Sequence, residues 1–250
     1  MTESRRHGLF VTGTDTGVGK TVVASGLVVL LREQGLDVGA MKPVETGVPG
    51  LHGRWPDSAG AMPADALMLA SAMAWKIPLT DVLPQAFAEP LAPSVAAARS
   101  GTNVDVGAII DAYRALEQRF AATIVEGAGG LAVPLSPQMD YADLCAQLGL
   151  SVLVVARPGL GTINHTVLTI RYARSRGLPV AGFVINRYPA EPGAAEETNP
   201  GVIADITGAP LLGILPEAGA CPVTTPTEAA DLCRGRLDLG SIAATCRWNA

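Results

Sequence analysis

Lysine is nearly missing from this 250-residue chain. Of 18 basic residues, 15 are arginine, and the lysines are Lys20, Lys42 and Lys76 alone. A chain so short of lysine has either replaced it wherever arginine serves or kept it only where arginine does not. An excess of positive charge is missing too: the net charge of −5 excludes the basic footprint of a nucleic-acid binder. Although 48% of the residues are hydrophobic, no uninterrupted apolar run approaches the roughly 18 residues that a membrane span needs. The four cysteines (Cys145, Cys221, Cys233, Cys246) show no C-x-x-C pair and no histidines at zinc spacing. The N-terminal MTESRRHG is polar and runs straight into GLFVTG, which leaves no room for a signal peptide. These absences point to a cytoplasmic protein with incidental thiols and neither membrane nor nucleic acid as partner.

What remains has the length of one α/β domain, taken here as residues 1–250. Short β-branched runs alternate with longer segments of helical period, the pattern of a parallel sheet with crossover helices. Strands are predicted at Leu9–Thr12, Val38–Met41, Thr123–Val125, Val152–Ala156, Val180–Ile185 and Leu211–Ile214. Several are continuously apolar, as strands covered on both faces are. Helices are predicted at Lys20–Gln34, Pro63–Ser71, Val104–Phe120, Tyr141–Leu148 and His165–Arg176. Val48–Met62, Pro189–Pro200 and Glu217–Pro226 read as loops, the first as an active-site loop and the last leading into a C-terminal tail over 227–250.

The strongest motif is Gly13-Thr14-Asp15-Thr16-Gly17-Val18-Gly19-Lys20-Thr21, between a strand and a long helix. Its glycines let backbone N–H groups curl around phosphate oxygens, and the helix N-terminus adds positive potential. Lys20 offers a compact charge to the β- and γ-phosphates, and the Thr21 hydroxyl can ligate Mg²⁺. The strict phosphate loop, G-x-x-x-x-G-K-[ST], is stretched here by one residue, because Gly13 lies one position early. Lys42 ends the second strand in Met41-Lys42-Pro43-Val44-Glu45-Thr46-Gly47, on the sheet edge where all parallel strands end. It faces the group that receives the γ-phosphate, or it is a solvated strand-end lysine; Thr46 offers a hydroxyl in the same loop. Glu126, at the tip of an apolar strand before Gly127-Ala128-Gly129-Gly130, is placed where phosphate-loop enzymes hold their metal. Asp65 opens a helix, and from the residues alone it reads first as an acid stabilised by the helix dipole and only second as a metal ligand. Gly159-Leu160-Gly161-Thr162-Ile163-Asn164-His165 starts another helix, either as an anion cradle or as an ordinary cap. Guanidinium is too large and differently directed to replace an ammonium among phosphate oxygens. That two of three lysines fall on these motifs therefore favours function for Lys42; Lys76 receives no role.

GTDTGVGKT, MKPVETG, PADAL, VEGAGG, GLGTINH and VINR stand here in the order and spacing of the dethiobiotin synthetase family, which the chain resembles from Leu9 to Pro216. The stretched phosphate loop is the family's own form. The resemblance implies a P-loop NTPase-like parallel sheet flanked by helices on both faces. It also implies ATP- and Mg²⁺-dependent joining of CO₂ to 7,8-diaminononanoate (diaminopelargonic acid), through a phosphorylated carbamate, to give dethiobiotin. Carried over by position, Thr16, Gly17, Val18, Gly19, Lys20, Thr21 and Val22 wrap the ATP phosphates. Thr21, Asp65 and Glu126 hold Mg²⁺, with Gly127, Ala128 and Gly129 beside the nucleotide. Lys42 is catalytic with Lys20, and Thr46 takes the place of the family's substrate-binding hydroxyl. Asn186, with Arg187, matches the adenine-binding asparagine, and Leu215, Pro216 and Glu217 flank the base. Gly161, Thr162 and Asn164 match the helix start that receives the substrate carboxylate from the partner subunit of a homodimer. Gly17 stands where the family often has an acid, and beyond Pro216 the pattern fades. Two rivals fit less well. A glutamine-dependent amidoligase needs a glutaminase domain that 250 residues do not accommodate. A partitioning ATPase of the ParA/MinD type carries a lysine early in K-G-G-x-G-K-T, where this chain has Thr14-Asp15-Thr16.

Overall fold

The computed structural model describes residues 8–50, 52–54, 62–219, 221–246 and 248. In chain order the strands are β1 (Gly8–Gly13), β2 (Val38–Met41), β3 (Val44–Thr46), β4 (His52–Arg54), β5 (Gln85–Phe87), β6 (Ala122–Gly130), β7 (Pro134–Ser136), β8 (Met139–Asp140), β9 (Ser151–Ala156), β10 (Val180–Tyr188) and β11 (Leu211–Pro216). The helices are α1 (Lys20–Glu33), α2 (Ala64–Ala72), α3 (Leu79–Val82), α4 (Pro93–Arg99), α5 (Val106–Arg119), α6 (Tyr141–Leu148), α7 (Thr162–Ser175), α8 (Ala194–Thr207), α9 (Pro226–Cys233) and α10 (Leu239–Cys246).

The central sheet has the order β11-β10-β9-β1-β6-β2, and every pairing in it is parallel. Every residue of β1, β2 and β9 is buried. Since side chains alternate between faces, both faces of the sheet are covered, as the continuous apolar runs implied. All carboxyl ends share one edge, with β1 central. In register, Val11 of β1 pairs with Glu126 of β6, and Val125 of β6 pairs with Met41 of β2, so Lys42, just past the end of β2, and Glu126 both stand beside the β1–α1 turn. β6 runs on to Gly130, so Glu126 lies within the strand and not at its tip as the sequence suggested. A separate small sheet has the order β3-β5-β4, with β3 parallel and β4 antiparallel to β5. Among the described residues, no helix is long and apolar enough to cross a membrane.

Three segments differ from the reading of the sequence. The predicted loop Pro189–Pro200 turns into α8 at Ala194, although Pro200 and Gly201 lie inside that helix. Proline in a helix removes a hydrogen bond and crowds the preceding turn. Here Asn199, Pro200 and Ile203 are buried, and packing overrides propensity. The tail after Pro226 is two helices. The first begins in a capping box that the local sequence does encode: Thr225 Oγ1 accepts the Glu228 N–H at 3.2 Å, and the Glu228 carboxylate accepts the Thr225 N–H at 3.0 Å. Within the predicted loop Val48–Met62, His52–Arg54 forms β4; residues 51 and 55–61 lie outside the described residues.

Candidate active site

The β1–α1 turn owes its shape to two left-handed glycines, Gly17 (φ 74°) and Gly19 (φ 93°). Gly19 is constrained twice, since a Cβ there would lie 2.0 Å from Asn186 Nδ2. That amide donates to the Val18 carbonyl at 2.9 Å, tying the end of β10 to the loop. The other side of the loop is held by Thr14, whose N–H donates to Val155 O of β9 at 3.0 Å. Lys20 curls back so that Nζ donates to Asp15 O at 3.2 Å, and its side chain is buried. Burial, and then the neighbouring Lys42 ammonium, lower its pKa.

Lys42 is the centre of the charge cluster. Nζ lies 2.7 Å from Asp65 Oδ2 and 2.7 Å from Glu126 Oε1, so it is no solvated strand-end lysine; the residue is 2% exposed. Burial opposes its charge, but Glu126 and Asp65 outweigh that, and the pKa is raised. Glu126 is fully buried, and burial holds its pKa above the usual carboxylate range despite Lys42. Asp65 is shifted the other way: burial opposes ionisation, but attraction to Lys42 and hydrogen bonds from Lys42 and Thr21 lower its pKa. Its carboxylate therefore does more than complement the dipole of α2. The Thr21 hydroxyl, in the first turn of α1, lies 2.9 Å from Asp65 Oδ1 and 2.8 Å from Glu126 Oε1.

This donor set suits a hard divalent cation. It consists of two carboxylates and a hydroxyl, all oxygen, and the buried Glu126 Oε2 has no hydrogen-bond partner. Among the described residues, no three His, Cys, Asp or Glu side chains converge as ligands. A third protein oxygen would therefore come from Thr21.

Around the cluster lies a cavity of about 700 Å³, lined by Thr16, Gly17, Gly19, Lys20, Thr21 and Val22 of the phosphate loop and α1 and by Lys42, Glu45, Thr46 and Pro90–Pro93. Asp65, Glu126, Ala128, Gly129, Val133 and Arg187 close it. The structure thus gathers both lysines, both acids, Thr21 and Thr46 at one cavity. Two participants were missed in the sequence. Glu45 is buried, and its carboxylate accepts the N–H groups of Asp65 (3.2 Å) and Ala66 (2.9 Å). Burial, followed by the nearby Asp65 charge, pushes its pKa up to about 7. The Pro90–Pro93 wall carried no chemical signal; Glu45 did stand inside MKPVETG, but an acid on a short strand reads as a surface charge.

Asn186, Arg187 and Leu215–Glu217 meet on the β10–β11 side: Tyr188 pairs with Pro216, and the Glu217 N–H donates to Tyr188 O at 2.8 Å. Asn186 Oδ1 is buried with no hydrogen-bond partner. Arg187 holds a left-handed backbone (φ 61°), unusual for a residue with a side chain. Gly161, Thr162 and Asn164 are not brought to the cavity. They begin α7, whose N-cap is Gly161 with no side-chain cap, which disposes of the reading of Thr162 or Asn164 as the cap. Thr162 is buried with its hydroxyl 3.4 Å from that of Thr166, whereas Gly161 and Asn164 are exposed.

A family model described as an AAA domain matches residues 7–222. An ATP-dependent dethiobiotin synthetase BioD of Anaeromyxobacter dehalogenans (strain 2CP-C) is 48% identical over 210 residues, covering 84% of this chain and 90% of the relative. The protein of the same description from Bacillus licheniformis is 42% identical over 237 residues, covering 94% and 95%. Among solved structures, a ParA family ATPase from Chlorobium tepidum TLS aligns with a TM-score of 0.51 at 15% identity, over 98% of this chain and 95% of that one. The cell division ATPase MinD of Pyrococcus furiosus gives 0.51 at 18% identity, over 97% of each chain. At such identities the likeness is one of fold.

Proposed function

The chain belongs to the ATP-dependent dethiobiotin synthetases, within the AAA domain family, and from that membership we propose how its cavity carries out the reaction. It is an ATP-dependent ligase that forms dethiobiotin in biotin biosynthesis. One amine of 7,8-diaminononanoate takes up CO₂ as a carbamate and releases a proton. A carbamate oxygen attacks the γ-phosphorus and ADP leaves. The second amine then attacks the carbamoyl carbon, loses a proton, closes the five-membered urea ring and expels phosphate.

Both intermediates on this path, the carbamate and the carbamic–phosphoric anhydride, are anionic, so the protein's task is to position groups and neutralise charge. The observation that carries the reading is the pair of buried lysines, Lys20 at the phosphate loop and Lys42 beside it, both lining one cavity. With its pKa raised by two carboxylates, Lys42 is a fixed cation rather than a base. It serves the carbamate and the transferring phosphoryl group, while Lys20 and the N–H groups of Thr16–Val22 serve the β- and γ-phosphates. Thr46 lines the same cavity, and its hydroxyl hydrogen-bonds the diamine. Thr21, Asp65 and Glu126 are the residues that would hold Mg²⁺, which when bound adds divalent charge at the phosphates. Asn186, through its unbonded Oδ1, reads the base amine, with Arg187 and Leu215–Glu217 beside it.

The substrate carboxylate is assigned to the Gly161–Asn164 helix start of a second copy in a homodimer. Two features support this: that turn does not line its own cavity, and Leu160 and Leu168 leave exposed apolar surface around it (84% and 56% exposed). A cytoplasmic location belongs to the same reading. Phosphate release from ATP, measured with and without bicarbonate plus 7,8-diaminononanoate, tests the assignment. Release should require both; release indifferent to the diamine points instead to a switch ATPase.

A further inference from the structure

Glu45 has no part in the chemistry above, yet its carboxylate is buried at the heart of the site. A helix leaves its first N–H groups without partners in the preceding turn. In α2 the residue before the helix is Pro63, which makes no side-chain cap. The N–H groups of Asp65 and Ala66 go instead to Glu45 Oε1 and Oε2, at 3.2 and 2.9 Å. The cap therefore comes from another element, β3, the strand that follows Lys42 and carries Thr46. Capping as such needs no buried charge, since Ser, Thr, Asn or Asp just before the helix serves at the surface. A carboxylate gripping two successive N–H groups does something more specific, because it fixes the rotation of the first turn. The rotation of that turn sets the direction in which the Asp65 side chain leaves the helix.

We infer that Glu45 is a positioning residue, which clamps the first turn of α2 to β3 so that Asp65 reaches Lys42 Nζ (2.7 Å) and Thr21 Oγ1 (2.9 Å). It thereby couples the acid on the metal side to the strand on the diamine side. The inference rests on the proposed reading of Asp65 as a metal ligand, and the experiment separates the two.

Binding of the fluorescent N-methylanthraniloyl derivative of ADP to the full chain is followed as Mg²⁺ is titrated, and again in EDTA. Glu45→Ala should raise the Mg²⁺ concentration for half-maximal enhancement by about tenfold or more, the range for loss of a group that orients a metal ligand. Affinity in EDTA should stay unchanged. Glu45→Gln, which keeps one acceptor oxygen, should shift the Mg²⁺ requirement less. Asp65→Asn should shift it at least as far as Glu45→Ala, and adding Glu45→Ala to Asp65→Asn should shift it no further. An unchanged Mg²⁺ requirement in both Glu45 variants, with a shift in Asp65→Asn, overturns the positioning role and leaves the metal site standing. No shift in Asp65→Asn overturns both. Equal weakening with and without Mg²⁺ in Glu45→Gln, the variant that keeps size and one hydrogen bond, assigns Glu45 to general folding and also overturns the inference.

Discussion

Lys42 shows what single residues decide here. Its ammonium neutralises two carboxylates, but unequally: the Glu126 side chain is 0% exposed and that of Asp65 is 38% exposed. Breaking a buried pair from one side costs about 3–5 kcal/mol. The solvent at Asp65 and the ability of Glu126 to take up a proton reduce that, so Lys42→Ala should lose about 2–4 kcal/mol in urea unfolding without nucleotide. It should also form dethiobiotin at least ~10²-fold more slowly, the scale of losing one preorganised charge partner. The pH dependence has a defined sign. A carboxyl whose folded pKa is raised contributes stability below its unfolded pKa and loses it as pH rises through the folded value. Without Lys42 the Glu126 pKa rises further, and the deficit is smaller at mildly acidic than at neutral pH. An unchanged midpoint with near-normal turnover would sink the role of Lys42.

At this scale the sequence was informative wherever chemistry and motif coincided, as at Lys20, Thr21, Lys42 and Glu126. It was silent on Glu45, because a cap supplied across 20 residues leaves no local pattern. Lys76, given no role from sequence, makes a half-exposed pair with Asp37 at 2.8 Å, which is surface chemistry.

Among elements, α1 and α9 fit closely. A Cβ on Gly26 would stand 2.8 Å from Ala229 O and 2.6 Å from Cys233 Sγ. Two effects compete in Gly26→Ala. Helix propensity favours alanine by about 1 kcal/mol, while overpacking against a backbone carbonyl costs about 1–3 kcal/mol. A thiol could turn aside, but a carbonyl yields only if the helix shifts, so the variant should be less stable by about 1 kcal/mol. Urea unfolding decides; a more stable variant would show that α9 is loosely seated. The helix after Lys20 was plain from its apolar period, but nothing near Gly26 announces a helix arriving from Pro226–Cys233. The Thr225–Glu228 box was there to be read, and α8 was obscured by Pro200 and Gly201, whose helical state depends on burial against the rest of the fold.

For the whole molecule, the proposal of a shared site sets the main test. Leu168 is exposed on α7, in the helix that Gly161 caps. Leu168→Glu should convert a dimer to a monomer in sedimentation. The monomer should bind ATP much as before and lose most of its affinity for the diamine. A monomer that still binds diamine tightly overturns the shared site, as does wild-type protein that sediments as a monomer.

The division between local pattern and fold follows from the range of the forces involved. Alternating runs, glycines at tight turns and the phosphate-loop spacing are imprinted over a few residues, and they were enough for the parallel sheet and for the lysines at its edge. The burial of Lys42 between Asp65 and Glu126 and the capping of α2 by Glu45 join residues 20 to 84 positions apart. So does the closure of the β1–α1 turn by Asn186, 168 positions from Val18. Hydrogen bonds and ion pairs act only within a few ångströms, so these partnerships exist only once parallel strands have carried distant residues to a common edge.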